Sequence, residues 1–333
     1  MMARVIAGIG VALILIVPGV WAAYDVSGMP DITLSAHDAA SLWVAADPDG
    51  AYVASCSEDG TVKVWKRADL SLYKTIGTPV IDKRAAEFSP DGEFMAEAGT
   101  DGKVNIRKIG KTAGFSLVKI LPAGTSDVTA MAMTADGSYL AVAAGSRIKL
   151  WRTKDYYLKE FSDPPDEIRS LSISGDGQYL ICATVSWKFY LYDIEAKRLV
   201  DEFYPEDYPA TAAALSQDGQ YLVHGGYTGT ITFRSVPDLS IIRTVEAHSR
   251  YITACAVSAD NKYFATASAA GDVKIWKMGT FGLLLTFQGQ AGGVLHLGFT
   301  QDRRYLLSSG EDGTVQMWDL ERLFGAAQRV AAP

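Results

Sequence analysis

The chain has 333 residues, of which 48% are hydrophobic and 21% charged. That balance excludes a disordered tail, a collagen-like fibre and a polytopic membrane protein. A formal net charge of -7 opposes binding to phosphate backbones, which rests on Lys and Arg, so no nucleic-acid partner is expected.

The N-terminus stands apart from the rest. Arg4 precedes an uncharged apolar stretch from Val5 to Val17, followed by Pro18-Gly19 and Val20-Trp21-Ala22-Ala23. A positive start, a short apolar core, a breaker and a small-residue site form the layout of a signal peptide. Val5 to Val17 is short for a membrane span, which takes about 20 residues. Residues 1–22 are therefore read as a cleavable signal and 23–30 as a leader, placing the mature protein in the periplasm or outside the cell. An uncut anchoring helix is the lesser alternative, and no membrane contact is expected after cleavage. Export permits disulfides, but Cys56, Cys182 and Cys255 are odd in number, far apart and set in apolar strand-like runs. They read as small buried side chains.

From residue 31 onward two signals recur in phase. A tight-turn pair stands at Asp49-Gly50, Asp91-Gly92, Asp136-Gly137, Asp176-Gly177, Asp218-Gly219, Asp260-Asn261 and Asp302-Arg303, at steps of 40 to 45 residues. An alternating strand ends in an aromatic or Arg at Trp65, Arg107, Trp151, Tyr192, Arg234, Trp276 and Trp318 with nearly the same step. Short apolar strands flank each turn pair, as in SLWVAA and AYVASC, and Asp-Gly between such runs signals a hairpin. A further strand follows each of the first six aromatic or Arg positions, as in LYKTIG and IIRTVE. Four strands in about 42 residues, seven times over, predict an all-β fold: a seven-bladed β-propeller of four-stranded antiparallel blades over 31–319.

The strand count is uneven at the ends. After Trp318-Asp319 the chain runs LERLFGAAQRVAAP without a good outer strand, so 320–333 is read as a tail. Near the N-terminus, Asp31-Ile-Thr-Leu-Ser-Ala-His37 matches Ile242-Arg-Thr-Val-Glu-Ala-His248. Residues 31–36 are therefore expected to supply the outer strand of the last blade and close the ring.

These residues resemble the WD-repeat propeller family over roughly 31–319. The Trp-Asp pair survives at Trp318-Asp319, with Tyr192-Asp193 close to it. The family's His before the first strand is matched by His37 and His248; the other blades carry Pro79, Gly124, Pro164, Glu206 and Gln290 there. Its turn Asp before the third strand is matched by Asp59, Asp101 and Asp312. Blade one alone is expected to retain the full set of His37, Ser55 or Ser57, Asp59 and Trp65, which the resemblance implies is a structural hydrogen-bond network. Blades four and five lack most of it and are expected to be less rigid.

Chemistry-bearing motifs are missing. There is no His-Glu-x-x-His, Cys-x-x-Cys or Gly-x-Ser-x-Gly, and Gly110-Lys111-Thr112 lacks the glycine that a phosphate loop needs. No catalytic residue, metal or cofactor is assigned. The resemblance implies instead that partners dock on the face carrying the loops before the first strand and between the second and third strands. The first set offers Asp82, Arg84, Asp127, Glu167, Arg169, Tyr251 and Thr253; the second offers Glu58, Thr100, Tyr227 and Glu311. Tyr and Arg make good anchors because they bury much area while keeping a polar tip. The expected function is a non-catalytic protein-interaction scaffold, monomeric and exported, with a protein or peptide partner on that face. The alternative is an enzyme, or a small-ligand or metal binder, with its site at the axial pore.

Overall fold

Six of the seven Asp-turn hairpins begin with the same local chemistry. Ser or Thr two residues before the turn Asp donates its hydroxyl to that carboxylate, as in Thr134 to Asp136 at 2.7 Å and Ser216 to Asp218 at 2.6 Å. The carboxylate also accepts a backbone N–H two residues on, as from Ser138 at 2.9 Å. At Asp49 the place of the hydroxyl is taken by Asp47, whose carboxylate accepts from Ala51 N–H at 2.9 Å. Such side-chain bonds to the local backbone pre-form a turn before any tertiary contact exists. The next residue must take positive φ, which Gly adopts without strain: 70° at Gly50, Gly137 and Gly177. Where glycine is missing the conformation persists, at 56° in Asn261 and 62° in Arg303. The turn geometry is thus imposed by the blade rather than by glycine.

The computed structural model describes residues 24–25, 30–77, 82–110, 114–161, 163–205 and 210–324. The signal reading at 1–22, most of the leader, Pro79, Glu206, Lys111-Thr112 and the end of the tail lie outside these residues. The described strands form seven antiparallel sheets. Blades one to six run Ser41–Gly77, Lys83–Pro122, Val128–Glu160, Ile168–Phe203, Ala210–Glu246 and Ile252–Gln288. In each, the four strands lie in chain order from the axis outward. Each innermost strand breaks register after its first residue, as between Ser41 and Trp43.

Blade seven has three consecutive strands, Val294–Phe299, Tyr305–Gly310 and Thr314–Asp319, and takes its fourth from the N-terminus. Ile32–Ser35 pairs antiparallel with Thr314–Asp319, Ile32 opposite Met317 and Ser35 opposite Thr314. The ring therefore closes through its first strand, by main-chain hydrogen bonds and not by a disulfide: all three cysteines are free. Two features were not legible beforehand. Tyr24–Asp25 adds a fifth, parallel strand to the edge of blade six. The tail begins as one helical turn, 320–324, with Leu320 and Leu323 buried against blades six and seven and Phe324 stacked on Tyr263.

The apolar core is divided among seven seams, one between each pair of neighbouring blades. Val62, Val64 and Met95 pack at the first seam, for example, and Phe264, Phe233 and Trp276 at the fifth. Seven separate clusters leave the axis itself open.

Candidate interaction face and the networks behind it

Within each blade the first strand starts, and the second ends, at the same end of the sheet, because the two are antiparallel. The loops expected to carry a partner therefore share one face. They are tied together by the main chain: Glu58 N–H donates to Ala40 O at 3.2 Å, Ala269 N–H to Tyr251 O at 3.1 Å and Glu311 N–H to Gly293 O at 3.0 Å.

A buried relay supports this face in blade one. Trp65 Nε1–H donates to Ser55 Oγ at 3.0 Å, and Ser55 Oγ lies 2.7 Å from His37 Nε2. His37 Nδ1 lies 2.9 Å from Asp59 Oδ2. One set of protons satisfies every member: Ser55 donates to Nε2, and Nδ1–H donates to the carboxylate. Ser57 Oγ accepts from Asp59 N–H at 3.0 Å and completes the turn. Burial lowers the His37 pKa, outweighing the pull of Asp59, so the ring is neutral near pH 7. Burial would raise Asp59, but hydrogen bonds from Thr61 and His37 hold its carboxyl below the usual range.

Blade six contains the same relay, which corrects the expectation that blade one alone retains it. Trp276 Nε1–H donates to Thr266 Oγ1 at 2.9 Å, Thr266 reaches His248 Nε2 at 2.8 Å, and His248 Nδ1 meets Asp272 at 2.6 Å. Asp272 escaped the pattern because it follows the turn glycine, Gly271, instead of preceding it. It stands 24 residues after His248, against 22 from His37 to Asp59.

The corresponding slots in blades two and five are filled differently. Glu97, fully buried, takes the Ser55 position and pairs with Lys83 at 2.9 Å and Arg107 at 3.1 Å. Asn105 adds a hydrogen bond to the same carboxylate at 3.0 Å. In blade five Arg234 donates Nε–H to His224 Nε2 at 3.1 Å and sits over the Phe203 ring at 4.3 Å. Burial and the adjacent guanidinium push His224 down to about 3. Blade seven uses an amide: Gln290 Nε2–H donates to Ser308 Oγ at 2.8 Å.

On the face, the structure gathers the candidate residues into two groups, each spanning a seam. Arg84 lies 3.4 Å from Asp82 and 4.0 Å from Glu58, joining blades one and two. Tyr227 of blade five stacks on Tyr251 of blade six, centroids 5.4 Å apart and planes within 4°, with Tyr227 60% exposed. Asp127, Glu167 and Arg169 are exposed on blades three and four. Glu311 is exposed and accepts from Gly293 N–H at 3.1 Å, while the Thr253 hydroxyl is buried. Among the described residues, no three His, Cys, Asp or Glu side chains gather as metal ligands, and no helix is long and apolar enough to cross a membrane.

Four segments, residues 28–66, 115–152, 239–277 and 281–319, match the family model described as "WD domain, G-beta repeat". The chain is also similar to WD repeat-containing protein VIP3 of Arabidopsis thaliana, 26% identical over 51% of this chain and 57% of that one. Pre-mRNA-processing factor 19 homolog 2 of the same plant is 30% identical over 47% of this chain and 30% of its own. Eukaryotic translation initiation factor 3 subunit I of Vanderwaltozyma polyspora is 24% identical over 60% and 61%. In each case the match spans less than two thirds of the relative's length.

Proposed function

We propose that this protein, a seven-bladed propeller built of WD40 repeats, is a non-catalytic platform that docks a protein or peptide on the face carrying Glu58, Asp82, Arg84, Asp127, Glu167, Arg169, Tyr227, Tyr251 and Glu311. The observation that carries the reading is the stacked Tyr227–Tyr251 pair, a large aromatic surface left in solvent on a rigid seam. Two stacked phenols are already ordered before a partner arrives, so little conformational entropy is lost on binding. Arg84, held by two carboxylates, adds a second pre-set anchor across the first seam. A relative named as a subunit of a larger factor fits this reading.

Affinity capture from an envelope or secreted fraction, followed by mass spectrometry, tests it. Tyr251→Ala, Arg84→Ala and Arg169→Ala should each weaken capture of the same partner, about tenfold or more for a true anchor. Undiminished capture by all three variants refutes this docking face. We also propose that residues 1–22 direct export and are removed. The support is the order of charge, apolar core and small residues in the sequence. Intact mass of the exported protein should place its first residue at Ala23, and an N-terminus at Met1 overturns cleavage.

A further inference from the structure

The axis of the ring holds a cavity of about 250 Å³, walled by the innermost strands of all seven blades. It reaches the Asp-Gly hairpin end through Pro48, Pro90, Gln217 and Gln301, the end opposite the proposed docking loops. Its lining side chains are mostly apolar but the surface it exposes is mostly polar, and Glu87 of blade two is the single acidic side chain in it, with no Lys or Arg. Beside it the Trp43 indole from blade one stacks on the His296 imidazole from blade seven, centroids 3.8 Å apart and planes at 23°. Val44 N–H donates to His296 Nδ1 at 3.5 Å, which leaves the ring's proton on Nε2. Trp43 Nε1 is buried without a well-formed hydrogen bond, with the Glu87 carboxyl as its weak acceptor. A carboxyl lining a cavity that holds no Lys or Arg, beside two stacked ring systems, is a group a protein core normally avoids.

We infer that the axial channel binds a small organic cation, seated between the Glu87 carboxylate and the stacked Trp43 and His296 rings. A carboxylate in such a channel is poorly solvated, and a bound cation supplies the missing counter-charge. An indole face attracts the same charge through its quadrupole. An anion would find no positive group on the wall. Lys83 and Arg107, on the same blade, are both engaged by Glu97 in an ion-pair cluster of their own.

The charge state of the groups around the channel follows from this geometry. Burial raises Glu87 to about 8, with the Trp43 indole opposing weakly, so the carboxyl holds its proton at neutral pH. The other titratable side chains in the wall carry no charge there: burial pushes His296 down to about 3 and Cys255 up to about 12. Binding a cation therefore expels one proton from Glu87 to solvent, and affinity rises with pH until Glu87 is ionised without help.

The same charge could arrive as a free ion or on a Lys side chain of a polypeptide. The distance from the docking loops favours the free ion, and the site stands or falls independently of partner capture. Calorimetric titration of the full chain with tetramethylammonium, its neutral isostere tert-butanol, acetate and a blocked lysine tripeptide separates these cases. Tetramethylammonium should bind saturably, about tenfold more weakly for each pH unit below about 8 and without further gain above it. Repeating the titration at pH 7 in buffers of different ionisation enthalpy should show about one proton released per ion bound. Glu87→Gln should lose at least tenfold in affinity with its circular dichroism unchanged. If that variant does not fold, the proton count on the unmodified chain decides. Equal binding of tert-butanol or acetate, a pH-independent affinity, no proton release, or binding of the peptide alone each overturns the proposal.

Discussion

Blades one and two solve the same problem with opposite chemistry. Both must satisfy a buried position where the second strand faces the end of the third. In blade one the pair is neutral, Ser55 with Trp65, extended by His37 to a half-buried Asp59. In blade two it is ionic, Glu97 between Lys83 and Arg107. These two blades each set a donor on the third strand against an acceptor on the second and differ in its identity, whereas blade three has Val142 at the second-strand place. The costs of failure differ, because a buried charge without a partner is far more expensive than a buried hydroxyl without one.

The largest effect should come from Glu97→Ala. It leaves Lys83, 4% exposed, and Arg107 without their counter-charge, and should cost about 3–5 kcal/mol in urea unfolding. Ser55→Ala removes two neutral hydrogen bonds and should cost about 1–3 kcal/mol, with Thr266→Val in blade six costing a similar amount. Equal losses at Glu97 and Ser55 would break the comparison. Hydrogen exchange sharpens it further. If blades four and five are the less rigid ones, amides of Tyr179–Thr184 should exchange faster than those of Tyr52–Ser57, since Cys182 stands where blade one has Ser55.

Smaller, graded effects should follow pH. Burial lowers the pKa of His37 and His248 from the usual 6.5 and takes His224 and His296 to about 3. Folding favours the neutral rings, so their contribution is complete above about 6.5 and declines as pH falls below it. Glu87 has the opposite sign. Its carboxyl, raised to about 8, contributes fully below about 4.5, and that contribution is lost as pH rises through about 8. Stability should fall on both sides, and Glu87→Gln should flatten the alkaline limb alone. An unchanged alkaline limb in that variant would place Glu87 in contact with bulk water.

The period of the turns and of the aromatic positions made the ring, the number of blades and the closing strand readable from the order of residues. Those features follow from local rules: hairpin chemistry at Asp-Gly, alternation in strands, and the count left over at the ends. The blade-one relay was readable too, because its members occupy fixed places in one repeat. Asp272 was not, since a shift of two residues across Gly271 hides it from any fixed spacing while the folded turn still brings its carboxylate to His248. Nor could the order of residues reveal that Trp43, Glu87 and His296 meet. They come from three blades, and Val44 and His296 bond across 252 positions of chain. Each was an ordinary strand residue until closure placed all seven inner strands around one axis. Charge, burial and stacking in that channel are properties of the closed ring, because they depend on distances that no single repeat contains.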